Sequence, residues 1–166
     1  MELKLLQSHF EKAQKLALNL FQAASCVIPH EFSLPIIEQT TMDLMEFGFH
    51  ARRVNELAQI DPSLISGANG KRFKYENSSL DAPLEENYGH ALNRLRHPNT
   101  YSVGLIEWGG DIVFEKSSSH VIVSFARITT NDPRYLDKNV SIFGISFSFL
   151  TEVRTLMHAK YPQYGY

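Results

Sequence analysis

The stretch Tyr88-Gly-His-Ala-Leu-Asn-Arg-Leu-Arg-His-Pro-Asn-Thr-Tyr-Ser-Val-Gly-Leu105 holds the change of period that decides the fold. Up to His97 the stretch reads as an amphipathic helix in which the polar residues His90, Arg94 and His97 recur at helical spacing. Acids lie at its start (Asp81, Glu85, Glu86) and bases at the end (Arg94, Arg96, His97), the arrangement that complements a helix dipole. The spacing predicts a helix from Asp81 as cap, with Pro83 in the first turn, to His97, where Pro98 stops it. After Asn99 the pattern alternates, with Tyr101, Val103 and Leu105 on one face, which is the period of a strand. Helices are expected before this boundary and a sheet after it.

Upstream, Leu6, Phe10, Ala13, Ala17, Leu20 and Ala24 recur at alternating spacings of four and three, predicting a helix over 2–25 that packs along another helix. Pro29 and His30-Glu-Phe32 interrupt it, and Ser33 as cap with Pro35 in the first turn opens a second helix. Ile37, Thr41, Leu44, Gly48, Ala51, Asn55 and Ala58 form its stripe, flanked by Met45, Val54 and Leu57, and Asp61-Pro62 ends it near residue 60. Gly48 and Ala51 suggest close helix contact. Two long helices joined by a short turn read as an antiparallel hairpin, the seed of a bundle. Residues 61–81, with Gly67-Ala-Asn-Gly70 at their centre, show no sustained periodicity and are expected to form a long loop.

Downstream, Gly109-Gly110 reads as a two-residue turn into a strand at Ile112-Val-Phe114. Ser117-Ser-Ser119 reads as a second turn, and Val121, Val123 and Phe125 alternate with His120, Ile122 and Ser124 in a third strand. Asp137 or Asn139 caps a last helix in which Ile142, Ile145, Phe149, Val153 and Leu156 share a face; residues 140–149 also fit an edge strand. The expected fold is α+β and mainly helical: one domain over 1–166, a four-helix bundle with a small antiparallel β-meander at about 100–128 between the third and fourth helices.

A length of 166 residues suits one core, and 43% hydrophobic residues with eleven Phe and seven Tyr argue against disorder. A net charge of −2 provides no field that would recruit nucleic acid or an anionic membrane, so polyanion binding would need a local patch. No run approaches the roughly 18 to 20 apolar residues that cross a bilayer, so no membrane partner is expected. The single cysteine, Cys26, excludes an intramolecular disulfide, and Met-Glu-Leu-Lys4 lacks a secretion-signal pattern, so a cytoplasmic location is expected. Cys26 lies at a helix end among small residues and is expected to be a buried, inert thiol.

The candidate catalytic residues are His90, Arg94 and His97, spaced four and three so that all three fit one side of the third helix, with Asn93 one turn before His97. Histidine exchanges a hydroxyl proton near neutral pH and arginine holds a phosphate with two donors, so such a set suits anion binding or ribonuclease chemistry. The plainer reading makes them helix-end residues: Arg94, Arg96 and His97 favour the dipole's negative end, Arg96 lies in solvent, and Asn93 and His97 satisfy backbone groups. A second polar group, His50, Arg52, Arg53, Asn55 and Glu56, would face the third helix or form a solvated, ion-paired stripe. Trp108 at the hairpin tip is a candidate partner contact, or packs across the strands. Tyr161-Pro-Gln-Tyr-Gly-Tyr166 would fold back on the bundle or pack in a dimer. No His or Cys spacing forms a metal site, and neither a Gly-x-Gly-x-x-Gly fingerprint nor a Walker loop occurs, so no metal and no cofactor is expected.

The helix end Asn93-Arg-Leu-Arg-His-Pro98, followed by a hairpin, resembles an Asn-x-x-x-His segment at a comparable junction in uncharacterised bacterial helical proteins. More distantly it resembles the HEPN (higher eukaryotes and prokaryotes nucleotide-binding) superfamily. That resemblance implies a compact, dimeric four-helix bundle of a toxin–antitoxin or phage-defence system, with metal-independent ribonuclease activity where an Arg and a His stand four to six residues apart. This chain departs from the pattern: Arg94 and Arg96 lie too close before His97, and the position seven before it is His90. A non-catalytic member acting by protein–protein contact is therefore the leading expectation, as a homodimer, because the apolar faces of the first, second and last helices exceed what one short bundle buries. The alternatives are a HEPN-type ribonuclease using His90, Arg94 and His97, and an RNA-binding module using Arg52, Arg53, Arg94 and Arg96.

Overall fold

The computed structural model describes residues 2–65, 82–96, 98–117, 119–129 and 137–164. The fold is α+β and mainly helical, with a small antiparallel sheet of four strands. In chain order the elements are α1 (Glu2–Ala23), β1 (Val27–Pro29), α2 (Ser33–Ala58), α3 (Tyr88–Arg96), β2 (Thr100–Glu107), β3 (His120–Thr129), β4 (Lys138–Ser141), α4 (Ile142–Ser148) and α5 (Arg154–Lys160). A single π turn, Phe149–Val153, joins α4 to α5 in one rod. Among the described residues, no helix is long and apolar enough to cross a membrane.

The seam predicted for α1 is the one the structure buries: Phe10, Ala13, Ala17, Leu20 and Ala24 have no exposed surface. Helix α2 runs back along α1, as paired side chains at successive levels show: His9 with His50, Lys12 with Glu46, Asn19 with Asp43. On α2 the buried stripe is Thr40, Leu44, Phe47, Gly48, Ala51, Val54, Asn55 and Ala58. Phe47 thus enters the core while Met45, expected beside the stripe, is half exposed. Gly48 has the role its size implies: a Cβ there would stand 2.8 Å from Cβ of Leu95, so α3 crosses α2 at this glycine.

Several expected boundaries move. The hydroxyl of Ser33 donates to the carbonyl of His30 (2.6 Å) instead of capping α2, because a 3-10 turn, His30–Phe32, leads directly into the helix. Helix α3 begins at Tyr88, not Asp81, capped by Asn87, whose Oδ1 accepts the amide N–H of His90 (2.9 Å). Pro83 and Glu85 lie before it in an extended segment that pairs with Asn139: Glu85 N–H donates to Asn139 O (2.7 Å) and Asn139 N–H to Pro83 O (2.9 Å). That pairing holds the segment out of the helix. The expected cap Asp81, the end of α3 at His97 and loop residues 66–81 lie outside the described residues.

Strand β3 is central, paired with β2 along its length (Thr100↔Thr129 to Glu107↔Val121) and with β1 and β4 in succession on its other edge (Val27↔Ile122, Phe125↔Ser141). The sheet is therefore larger than the expected meander and recruits Val27–Pro29, read from sequence as a mere interruption. The expected strand at Ile112-Val-Phe114 does not form. Strand β2 pairs with β3 from Val121 onward, so residues 108–117 form a loop whose Ile112 (69% exposed) and Val113 (54%) meet no partner strand. The region read either as helix or as edge strand divides. Residues 138–141 pair with β3 and the helix starts at Ile142, capped by Ser141 Oγ rather than by Asp137 or Asn139.

On the α4–α5 rod the fully buried large apolar residues are Ile142, Ile145, Phe149, Val153 and Met157, with Leu156 only half-buried. Apolar residues every four positions drift around an α-helix of 3.6 residues per turn, and the π turn absorbs the drift so that Met157, not Leu156, ends the face. Phe149 stands at the core centre, 5.8 Å from the Phe10 ring and edge-on to Phe47 at 5.5 Å.

Candidate functional site

Helix α3 carries the candidate residues, and the structure turns them to different neighbours. His90 and Arg94, four apart, face the extended segment before the helix. Arg94 is 6% exposed, and its Nε donates to Oε2 of Glu85 (3.1 Å), itself 3% exposed. Lys138 Nζ donates to the other oxygen, Oε1 (3.5 Å), from the start of β4, and the exposed ring of His90 stands 4.0 Å from that atom at the rim. The centre is a buried carboxylate between two cations, with the Glu85 backbone anchored on Asn139. Breaking such a pair leaves a buried charge uncompensated, so its first consequence is structural. A guanidinium bound to a buried carboxylate is also not presented to a phosphate.

Asn93 points the other way, to α2, where its Oδ1 accepts from the guanidinium of Arg52 (3.0 Å). Arg52 Nε also donates to Glu56 Oε1 (2.7 Å), and Arg53 donates to Oε2 of the same carboxylate (2.8 Å). The hydrogen bond from Arg52 is the main reason the Glu56 carboxyl is held below the usual carboxylate range, so at neutral pH it is no proton donor. Arg52, Glu56 and Asn93 line a cleft of about 240 Å³ walled by Ile60, Pro62, Gly89 and Leu92. A Cβ on Gly89 would lie 2.9 Å from Pro62, so the glycine admits the close approach that narrows the cleft. Its volume is below the roughly 300 Å³ at which sites for drug-sized ligands begin, so it takes a few atoms and not a nucleotide. Asn55 contributes a buried Oδ1 that has no hydrogen-bond partner.

The second expected cluster is divided likewise. Arg52, Arg53 and Glu56 form helix-surface ion pairs, from which Arg52 reaches α3, whereas His50 faces α1, its Nδ1 2.8 Å from Nδ1 of His9. Burial first, then the positive groups nearby, Arg53 for His9 and His9 with Lys12 for His50, hold both imidazoles below their ordinary value. The neutral pair shares one proton between the two Nδ1 atoms.

Trp108 is half-buried at the start of the 108–117 loop; its indole N–H donates to Asp111 O (3.2 Å) and its ring lies over Gly110, 2.5 Å from a Cβ built there. It packs on its own loop. Arg96 is exposed, as the plainer reading expects, and His97 lies outside the described residues. Tyr161 folds back against the core. Cys26 corrects an expectation: it is exposed, because α1 ends at Ala23 and the thiol stands in the turn before β1, beyond the helix's buried seam. Glu85 and His9 were not legible as partners, since nothing in local periodicity links Glu85 to Arg94 or His9 to a residue 41 positions on. Among the described residues no group of three or more His, Cys, Asp or Glu is placed to hold a metal ion. Compared with known proteins, the chain matches no family model, no curated protein and no solved structure.

Proposed function

We propose that this protein acts by protein–protein contact, as a homodimer, and is not itself a catalyst. The observation that carries this reading is the solvent side of α2. Glu38, Met42, Met45 and Phe49 recur along it at spacings of four and three, a short heptad seam with three large apolar side chains. Met42 is 62% exposed, Met45 50% and Phe49 57%. Single exposed apolar residues are ordinary on a surface, but a row at coiled-coil spacing suits a partner helix. The ion pairs support the non-catalytic half of the reading, since Arg94, Arg52 and Arg53 each already bind a carboxylate.

Light scattering at micromolar concentration tests it. The expected mass is twice the 18.9 kDa of one chain, falling to one chain in Met45→Glu/Phe49→Glu, which changes only exposed positions. A wild type that scatters as a single chain counts against the dimer. Incubation with total RNA, with and without EDTA, tests the other half. Cleavage that survives EDTA would favour a HEPN-type ribonuclease, and retention of RNA without cleavage an RNA-binding module.

A further inference from the structure

We propose that the groove between the end of α1, β1 and the start of α2 binds an amphipathic cation, an apolar chain or ring bearing one ammonium group. The groove has a volume of about 450 Å³, within the range of small-molecule sites. Leu20, Ala23, Ile28, Pro35 and Ile36 make its apolar walls. Asp43 is the one charged side chain among the described residues that line it. Its carboxylate is held in place by two neutral donors: Asn19 Nδ2 to Oδ2 at 3.2 Å and Gln39 Nε2 to Oδ1 at 2.8 Å. Amides orient a carboxylate without neutralising it, and each oxygen keeps a lone pair for a further donor. No Lys, Arg or His among the described residues lies within ion-pair distance of Asp43. A fixed, unneutralised anion beside apolar walls attracts an ammonium carried on hydrocarbon. It repels a fatty carboxylate and gives a neutral alcohol no Coulombic gain.

The chain supplies its own reporter. Cys26, its sole cysteine, lines the same groove and is exposed, so a molecule seated there shields the thiol from reagent. The experiment follows the reaction of Cys26 with a colorimetric disulfide in the full chain, with octylamine, octanoate or octanol added below micelle-forming concentrations. Octylamine is expected to slow labelling saturably, by about tenfold at ten times its dissociation constant, with octanol weaker and octanoate without effect. Asp43→Asn is expected to bring octylamine down to the level of octanol, and Asp43→Glu to restore part of the preference. If Asp43→Asn does not fold, Ala23→Trp serves instead, filling the groove with the carboxylate intact and abolishing protection by octylamine. Circular dichroism at each concentration verifies that the fold is unchanged. Absence of saturable protection by octylamine, protection by octanoate of equal strength, or a preference for the amine that survives loss of the carboxylate would overturn the assignment.

Discussion

Replacing Arg94 by Met removes the cation that lies 3.1 Å from a carboxylate only 3% exposed, and it separates a structural role for this arginine from a catalytic one. Removing one partner of a buried ion pair costs about 3–5 kcal/mol, because the remaining charge keeps its desolvation penalty without its attraction. Lys138 remains 3.5 Å from the other oxygen and is itself 35% exposed, so Glu85 is not left alone. The lower end, about 3 kcal/mol, is therefore expected. For a chain of this size that is a fall in Tm of about 6–12 °C, measurable by calorimetry or by urea denaturation followed by circular dichroism. The second half of the test is Glu85→Leu/Arg94→Met, which removes both charges and leaves apolar groups. It is expected to recover most of the loss, so that the coupling between the two positions is about 2 kcal/mol or more. A destabilisation below about 1 kcal/mol for Arg94→Met, or a double variant no better than the single one, would show that the pair does not hold the extended segment to α3.

Gly48→Ala adds a Cβ 2.8 Å from Leu95 Cβ, an atom fixed to the backbone of α3, so the helices must part. Alanine gains about 1 kcal/mol of helix propensity, yet a net loss of about 1–2 kcal/mol is expected from overpacking. Gly109→Ala, where an added Cβ meets nothing within 4 Å, is the control expected to lie within about 0.5 kcal/mol of wild type in the same denaturation. The His9–His50 pair predicts a pH dependence. Both imidazoles are held below 6.5 in the folded chain, so protons bind the unfolded chain more readily. The pair's contribution is thus full above the unfolded value and is lost as pH falls through the folded ones. Tm is expected to drop between about pH 7 and pH 5 more steeply in wild type than in His9→Gln/His50→Gln, and parallel curves would refute the assignment.

The helices and the nature of the fold were readable from local pattern. The seam from Leu6 to Ala24 is a property of neighbours three and four apart, and so is the switch to alternation after Asn99, because helix and strand periods are set by the backbone alone. Tertiary structure decided what depends on distant partners. Val27–Pro29 is a strand only because β3 offers it an edge, and Ile112-Val-Phe114 is not one because β2 takes β3 directly. Pro83–Glu85 stays out of α3 because Asn139 binds it, although the local signals favoured helix. The candidate site divided for the same reason. Spacing places His90 and Arg94 on one side of α3, but only the fold brings Glu85 and Lys138 to that side and Arg52 to Asn93 on another. Charge pairing and burial are properties of packed surfaces, and periodicity along one helix records which face is turned inward without recording what it meets.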